Sequence, residues 1–196
     1  MGGTGTLKAV LFDRDGTLVV DVPYNGDPQL VRPMESALSA LAKVRRAGLA
    51  TGVVTNQSGV ARGLLTLDQM HAVNQRVDQL LGPFDVWEVC PHGPEDGCNC
   101  RKPEPGMILE ACNSLDIKPE EAAFIGDIGA DMEAASAAGA RAVLVPTEMI
   151  RREEIEAAGS VAQDLDHAVE ILLAGSLDWT PDGETDKALD EQDAPA

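Results

Sequence analysis

Leu7-Lys8-Ala9-Val10-Leu11-Phe12, followed without a break by Asp13-Arg14-Asp15-Gly16-Thr17, is the stretch of this chain that decides its architecture. The first half is an aliphatic run of strand length, and the acidic, glycine-containing second half stops it. Aspartates after a strand are in themselves ordinary turn formers. Their meaning depends on the residues that end the other strands.

Working outward, short aliphatic runs alternate with helical patterns. Residues 18–32 hold Pro23, Asn25-Gly26 and Asp27-Pro28 and read as a loop. Met34, Leu38, Leu41 and Val44 recur at helical spacing up to a stop at Gly48. Leu49 to Val54 reads as a second strand. Thr66-Leu67-Asp68-Gln69 opens a second helix as a capping box, with Leu67, Met70, Val73, Val77 and Leu80 on its apolar side. Phe84 to Val89 is a third strand, Pro105 begins a helix through Leu115, and Ala122 to Ile125 is a fourth strand. Gly129 to Ala138 is helical, Ala142 to Val145 a fifth strand, and Asp164 to Ala174 a last helix. Such alternation predicts an α/β domain, a parallel Rossmann-like sheet in three layers, over residues 1–177. Residues 178–196 carry seven acids and one base, Lys187, and are expected to be a disordered acidic tail.

Composition narrows the function classes. Hydrophobic residues make up 44% but aromatics only 3%, so the core is aliphatic, as buried parallel sheets require. A net charge of −18 argues against a nucleic-acid surface. No apolar run is long enough to span a bilayer, and the first residues lack the basic and apolar regions of a signal peptide. A cytoplasmic protein without a membrane partner is the expectation. Three of the four cysteines lie within eleven residues, which in a reducing compartment suggests metal rather than disulfides.

Ligands of parallel sheets bind beyond the carboxyl ends of the strands. Asp13 and Asp15 follow the first strand, Thr55 and Asn56 the second, Lys102 the third after a cysteine-rich insertion, and Asp127 the fourth. Each is weak evidence alone, but their gathering at one sheet edge fits phosphate-ester hydrolysis. That reaction needs up to roughly 10²¹-fold acceleration, most of it from positioning and charge neutralisation. A carboxylate nucleophile divides it through an aspartyl-phosphate. A divalent cation must then separate nucleophile from dianion, and magnesium suits Asp13, Asp127 and a backbone oxygen. A carboxyl two residues beyond the nucleophile, Asp15, can protonate the leaving alcohol and then activate water. Lys102, Thr55 and Asn56 would hold the remaining phosphate oxygens.

These residues, in this order and spacing, resemble the four motifs of the haloacid dehalogenase superfamily of phosphohydrolases across roughly residues 7–145. The resemblance implies Asp13 as nucleophile and magnesium ligand. It implies Asp15 as general acid/base, with its backbone carbonyl on magnesium. Thr55 is the second-motif hydroxyl, Lys102 the third-motif base and Asp127 the fourth-motif magnesium ligand, with Asp131 behind it.

Cys90-Pro91-His92 and, five residues later, Cys98-Asn99-Cys100 form a Cys-x-His-x5-Cys-x-Cys array. Three thiolates and an imidazole make a closed structural zinc site, which leaves no open position for hydrolysis. It would pin a polar loop and deliver Arg101 and Lys102 to the pocket. With Arg101-Lys102-Pro103 and Thr55-Asn56-Gln57-Ser58-Gly59-Val60-Ala61-Arg62-Gly63, the array is similar to the zinc-containing branch of the superfamily. That branch holds heptose 1,7-bisphosphate and histidinol-phosphate phosphatases, has no large cap domain, and is often monomeric. The resemblance therefore implies a small sugar phosphate as substrate, first the 7-phosphate of a heptose bisphosphate, with histidinol phosphate second. Arg101, and less strongly Arg62, would meet a second phosphate. The heptose enzymes carry a basic residue directly after the fourth-motif aspartate, where this chain has Ile128. The rival classes are a non-catalytic zinc-loop interaction module, a phosphotransferase, and a zinc-hydroxide hydrolase.

Overall fold

Ala9–Phe12 forms strand β1, and all four of its residues are buried. A strand sealed on both faces needs apolar residues at every position rather than at alternate ones, which is the pattern the sequence carries. The computed structural model describes residues 6–148 and 150–175, so the acidic tail expected over 178–196 lies outside the described residues. β2 (Ala50–Asn56), β3 (Val86–Cys90), β4 (Ala122–Gly126) and β5 (Arg141–Leu144) join β1 in one all-parallel sheet in the order β3-β2-β1-β4-β5.

Val10 and Phe12 of β1 face one apolar layer with Leu41, Val73, Val77 and Val169, while Leu11 faces the other with Ile108, Cys112 and Ala134. Helices α1 (Ala37–Arg46), α2 (Leu67–Leu81) and α6 (Leu165–Ala174) supply the first layer. α3 (Gly106–Ser114) and α4 (Gly129–Ala138) supply the second. The expected three-layer parallel α/β fold is therefore present, and no connection between these elements contains a large inserted cap. Thr66 caps α2 as read: its hydroxyl accepts from Gln69 N while the Gln69 side chain accepts from Thr66 N.

Two local differences have physical causes. α5 (Arg152–Ala157) was not expected, because its residues Arg-Glu-Glu-Ile-Glu-Ala bury nothing and so carry no apolar period. β3 begins at Val86 rather than Phe84, because Asp85 turns its carboxylate back to accept from Thr51 N at 2.7 Å. Among the described residues, no helix is long and apolar enough to cross a membrane.

The strand order reverses on either side of β1, which opens a crevice between the carboxyl ends of β1 and β4. Asp13 extends the ladder by one residue, its N–H donating to Ile125 O at 2.9 Å. Asp127 follows β4 at the same level. The fold thus sets two carboxylates from distant parts of the chain side by side.

Candidate active site

Asp13, Asp127 and Asp131 bring carboxylate oxygens within 4.8 Å of one another, and all three residues are buried. One cation answers part of that charge. Lys102 Nζ lies 2.7 Å from Asp13 Oδ1 and 2.7 Å from Asp131 Oδ1, and donates to Val54 O at 3.0 Å. Asp131 Oδ2 accepts the N–H groups of Asp127 and Ile128 at 3.1 and 3.2 Å, which caps α4. Both oxygens of Asp131 are thus engaged, while Asp13 and Asp127 retain lone pairs.

Electrostatics match that picture. Burial pushes Asp13 up to about 7, against the pull of Lys102, with Asp131 and Asp15 adding repulsion. Burial, then Asp13 and Asp131, pushes Asp127 up to about 8. Burial alone would lower Lys102, but Asp13 and Asp131 outweigh it and hold the ammonium above its ordinary value. The cluster is short of positive charge, and its donors are hard oxygens, which suits a small divalent cation such as magnesium. Gly16 sits at φ +79° against the Asp127 carboxyl, where a Cβ would overlap the carboxylate. Only glycine lets the turn after β1 come this close.

Of the other residues expected at the site, Asp15, Thr55 and Asn56 gather here, with differing work; Arg101 and Arg62 pair elsewhere. Asp15 accepts from Arg14 Nε and Nη2 and from Gln57 Nε2. Thr55 is buried, and its hydroxyl oxygen also accepts from Gln57 Nε2, at 3.0 Å. The Asn56 amide is engaged at both ends, donating to Lys102 O and accepting from Lys102 N, each at 3.1 Å. In this arrangement the Asn56 side chain holds the Lys102 backbone. Arg101 donates to His92 O at 3.4 Å, and Arg62 donates to Tyr24 OH at 2.9 Å with its guanidinium over the ring.

Cys90, His92, Cys98 and Cys100 converge as a second cluster, and none is in a disulfide. Their Sγ atoms stand 3.2 to 3.7 Å apart, with His92 Nδ1 3.3 Å from Cys100 Sγ and 3.5 Å from Cys90 Sγ. Thiolates bound tetrahedrally at about 2.3 Å stand roughly 3.8 Å apart, so the four donors outline a cage of the right size for one metal ion.

A cleft of about 290 Å³ opens over Asp15, lined by Arg14, Asp21, Tyr24, Asn56, Gln57 and other residues of the same loops. A larger groove of about 980 Å³ lies among α4, β5, α5 and α6, but none of Asp13, Asp15, Lys102 or Asp127 lines it. Chemistry rather than size picks the site. Asp21 was not among the expected residues; its only signal was its place in the loop after β1. Asn74 was missed as well, although a polar residue between Val73 and Val77 on the apolar side of α2 was a visible anomaly.

A fold and site of this kind define a phosphohydrolase of the haloacid dehalogenase type, and comparison with known proteins agrees. A HAD-hydrolase-like family model matches residues 99–170. The D-glycero-beta-D-manno-heptose-1,7-bisphosphate 7-phosphatase of Pseudomonas putida is 39% identical over 150 residues, which cover 72% of this chain and 83% of that protein. Its counterpart in Bordetella bronchiseptica is 32% identical over 176 residues, covering 85% of this chain and 98% of the relative. The crystal structure of a D,D-heptose 1,7-bisphosphate phosphatase from B. bronchiseptica, complexed with magnesium and phosphate, superposes with a TM-score of 0.75. It is 32% identical and covers 86% of this chain and 99% of its own. The chain belongs to the haloacid dehalogenase superfamily of phosphatases, and within it is closely related to the heptose 1,7-bisphosphate 7-phosphatases. It is a hydrolase of phosphate esters.

Proposed function

We propose that this chain removes the 7-phosphate of D-glycero-D-manno-heptose 1,7-bisphosphate through an aspartyl-phosphate on Asp13. The observation that carries the hydrolytic reading is the buried set of Asp13, Lys102, Asp127 and Asp131 at the switch point of the sheet. The names and high coverage of the relatives support the heptose substrate.

Asp13 attacks phosphorus in line with the leaving oxygen, and the ester P–O bond breaks as the Asp13–phosphorus bond forms. Asp15 gives its proton to that oxygen and releases the alcohol. The Asp15 carboxylate next takes a proton from water as the water oxygen attacks the aspartyl-phosphate, which frees phosphate and restores both groups. Lys102 and the Thr55 hydroxyl neutralise or donate to the phosphate oxygens, and the side chain of Asn56 serves by fixing Lys102. Asp13, Asp127 and the Asp15 backbone carbonyl would hold magnesium, which offsets the charge between nucleophile and dianionic ester when bound. Asp131 is left to hold Lys102.

The metal assignment has a pH signature. Asp13 and Asp127 stand at about 7 and about 8 in the metal-free fold, against 3.8 in an unfolded chain. The native state then binds protons more tightly than the unfolded one. Their contribution to stability is full below 3.8 and is lost as pH rises through about 7 to 8. Magnesium competes with those protons, so the rise in Tm that it produces should be larger near pH 9 than near pH 6, conditions about one unit outside the two raised values. A magnesium effect on Tm that is absent, or equal at both pH values, would remove this site as the metal's location.

We assign the second cluster to structural zinc, held by Cys90 Sγ, His92 Nδ1, Cys98 Sγ and Cys100 Sγ. Zinc here would pin residues 90–102 and so set Arg101 and Lys102. Chelation, or Cys100→Ser, is expected to lower Tm and turnover together while added magnesium restores neither. Stoichiometric zinc by elemental analysis, lost in the Cys100→Ser protein, is the direct check. Chelated protein with unchanged Tm and activity would refute it.

Histidinol phosphate is the second reading, favoured by two observations. The Asp21 carboxylate lines the cleft, where it suits an ammonium group, and Ile128 brings no cation for a second phosphate. A phosphate-release screen of both heptose 1,7-bisphosphate anomers, histidinol phosphate and simple hexose phosphates separates the readings. The heptose proposal requires kcat/KM for a heptose bisphosphate at least about tenfold above the others, a margin of about 1.4 kcal/mol in transition-state binding. Preference for histidinol phosphate would overturn it.

A further inference from the structure

We infer that Gln57 is a positioning residue that ties the phosphate-binding hydroxyl of Thr55 to the acid/base Asp15, and that Arg14 anchors the same carboxylate through both of its oxygens. The inference rests on the proposed role of Asp15.

Gln57 follows β2 and is 6% exposed. Its side-chain NH2 spends both protons at once: Nε2 donates to Asp15 Oδ2 at 2.8 Å and to Thr55 Oγ1 at 3.0 Å. A hydroxyl that accepts from Gln57 must aim its own proton elsewhere, and at the mouth of the crevice that direction serves a phosphate oxygen. A fork grips the same carboxylate and reaches both of its oxygens. Arg14 Nε lies 3.1 Å from Asp15 Oδ1, and Arg14 Nη2 lies 2.8 Å from Oδ2. Arg14 is itself only 2% exposed, and its Nη1 donates to Asn74 Oδ1 of α2 at 2.6 Å.

The consequence is positional. Asp15 occupies a turn, and a turn carboxylate free to rotate spends little time aligned with the leaving oxygen. Donors on two sides, each rooted in a buried element, fix it to the scaffold. A buried arginine beside an isolated aspartate would otherwise be a structural ion pair. Gln57 is what distinguishes this one, because it joins the carboxylate to a phosphate-side group and not to the core.

The test uses leaving groups. In Gln57→Met, similar in length and unable to donate, Asp15 loses a donor and Thr55 loses its orienting partner. Proton donation matters for an alkyl phosphate and little for p-nitrophenyl phosphate, whose phenolate leaves unaided. The value of kcat/KM covers formation of the aspartyl-phosphate and release of the leaving group. It should fall by about 10²-fold more for heptose 1,7-bisphosphate than for p-nitrophenyl phosphate, the lower end of general acid–base effects, while the loss common to both esters reads the loosened Thr55. Because water activation also uses Asp15, the variant should show a burst of p-nitrophenolate before a slower steady state. Asn74→Leu, which strips the anchor from Arg14, should move the same ratio in the same direction.

Equal losses on both esters without a burst, or no loss on either, would overturn the inference. Asp15→Asn separates this failure from that of the underlying reading. If Asp15→Asn shows the leaving-group dependence and Gln57→Met does not, only the positioning role falls. If Asp15→Asn shows none, the acid/base assignment falls and the positioning role with it.

Discussion

Asp13→Asn is expected to abolish phosphate release, by on the order of 10⁴-fold or more, while leaving the protein folded. The size follows from the role: with the nucleophile gone, only binding and charge effects remain, and removal of such a group costs rates of this order or greater. The intact fold follows from burial. Asp13 is held at about 7 because burial penalises its charge, with Asp131 and Asp15 adding to the penalty. A neutral amide of the same shape relieves that repulsion, and Lys102 keeps Asp131 as its partner at 2.7 Å. Tm in the absence of magnesium should therefore hold or rise, whereas the stabilisation by magnesium should shrink. Phosphate release and thermal melts on one preparation check both halves. Undiminished turnover would sink the nucleophile assignment, and an unfolded variant would contradict the charge argument.

Lys102→Met is expected to damage stability and catalysis together. The residue is 3% exposed and its ammonium sits 2.7 Å from each of two buried carboxylates, so its removal leaves Asp13 and Asp131 facing each other without a cation. Breaking a buried charge arrangement by deleting one partner costs about 3–5 kcal/mol. Loss of a preorganised cation beside the reacting phosphate lowers kcat by about 10²–10³-fold. The double variant Lys102→Met/Asp131→Asn separates the two effects. It should recover much of the stability, since one stranded charge is gone, and none of the turnover. Denaturant melts and phosphate release on the four proteins of that cycle supply the measurement. A single variant as stable as the parent would mean that Lys102 is not the counter-charge the geometry implies.

Aliphatic runs at Leu7–Phe12, 49–54 and 122–125, each ending in polar residues, were enough for a parallel α/β sheet with its chemistry at one edge. Capping chemistry located the start of α2 to the residue, and α4 runs from Gly129 to Ala138 as expected. The Cys/His spacing foretold the cluster that the fold brings together. All of these signals are local: the pattern of apolar positions, a cap, a turn, a pair of ligands two residues apart. α5 escaped because a short helix that buries nothing leaves no periodic trace.

What the chain determined by itself was therefore which elements form, and which reactive residues stand at their carboxyl ends. Division of labour among those residues was decided only by the tertiary structure. The side-chain amide of Asn56 grips the backbone of Lys102, 46 positions away. Lys102 is a counter-charge for Asp131 as well as Asp13, and Arg14 reaches across 60 positions to Asn74. Asp21 enters the cleft because a loop folds over it, not because of its neighbours in sequence. The physical reason is the same throughout. Periodicity and capping act over a turn or two of chain, whereas a buried hydrogen bond or ion pair exists only once β1, flanked by β2 and β4, has set the distances.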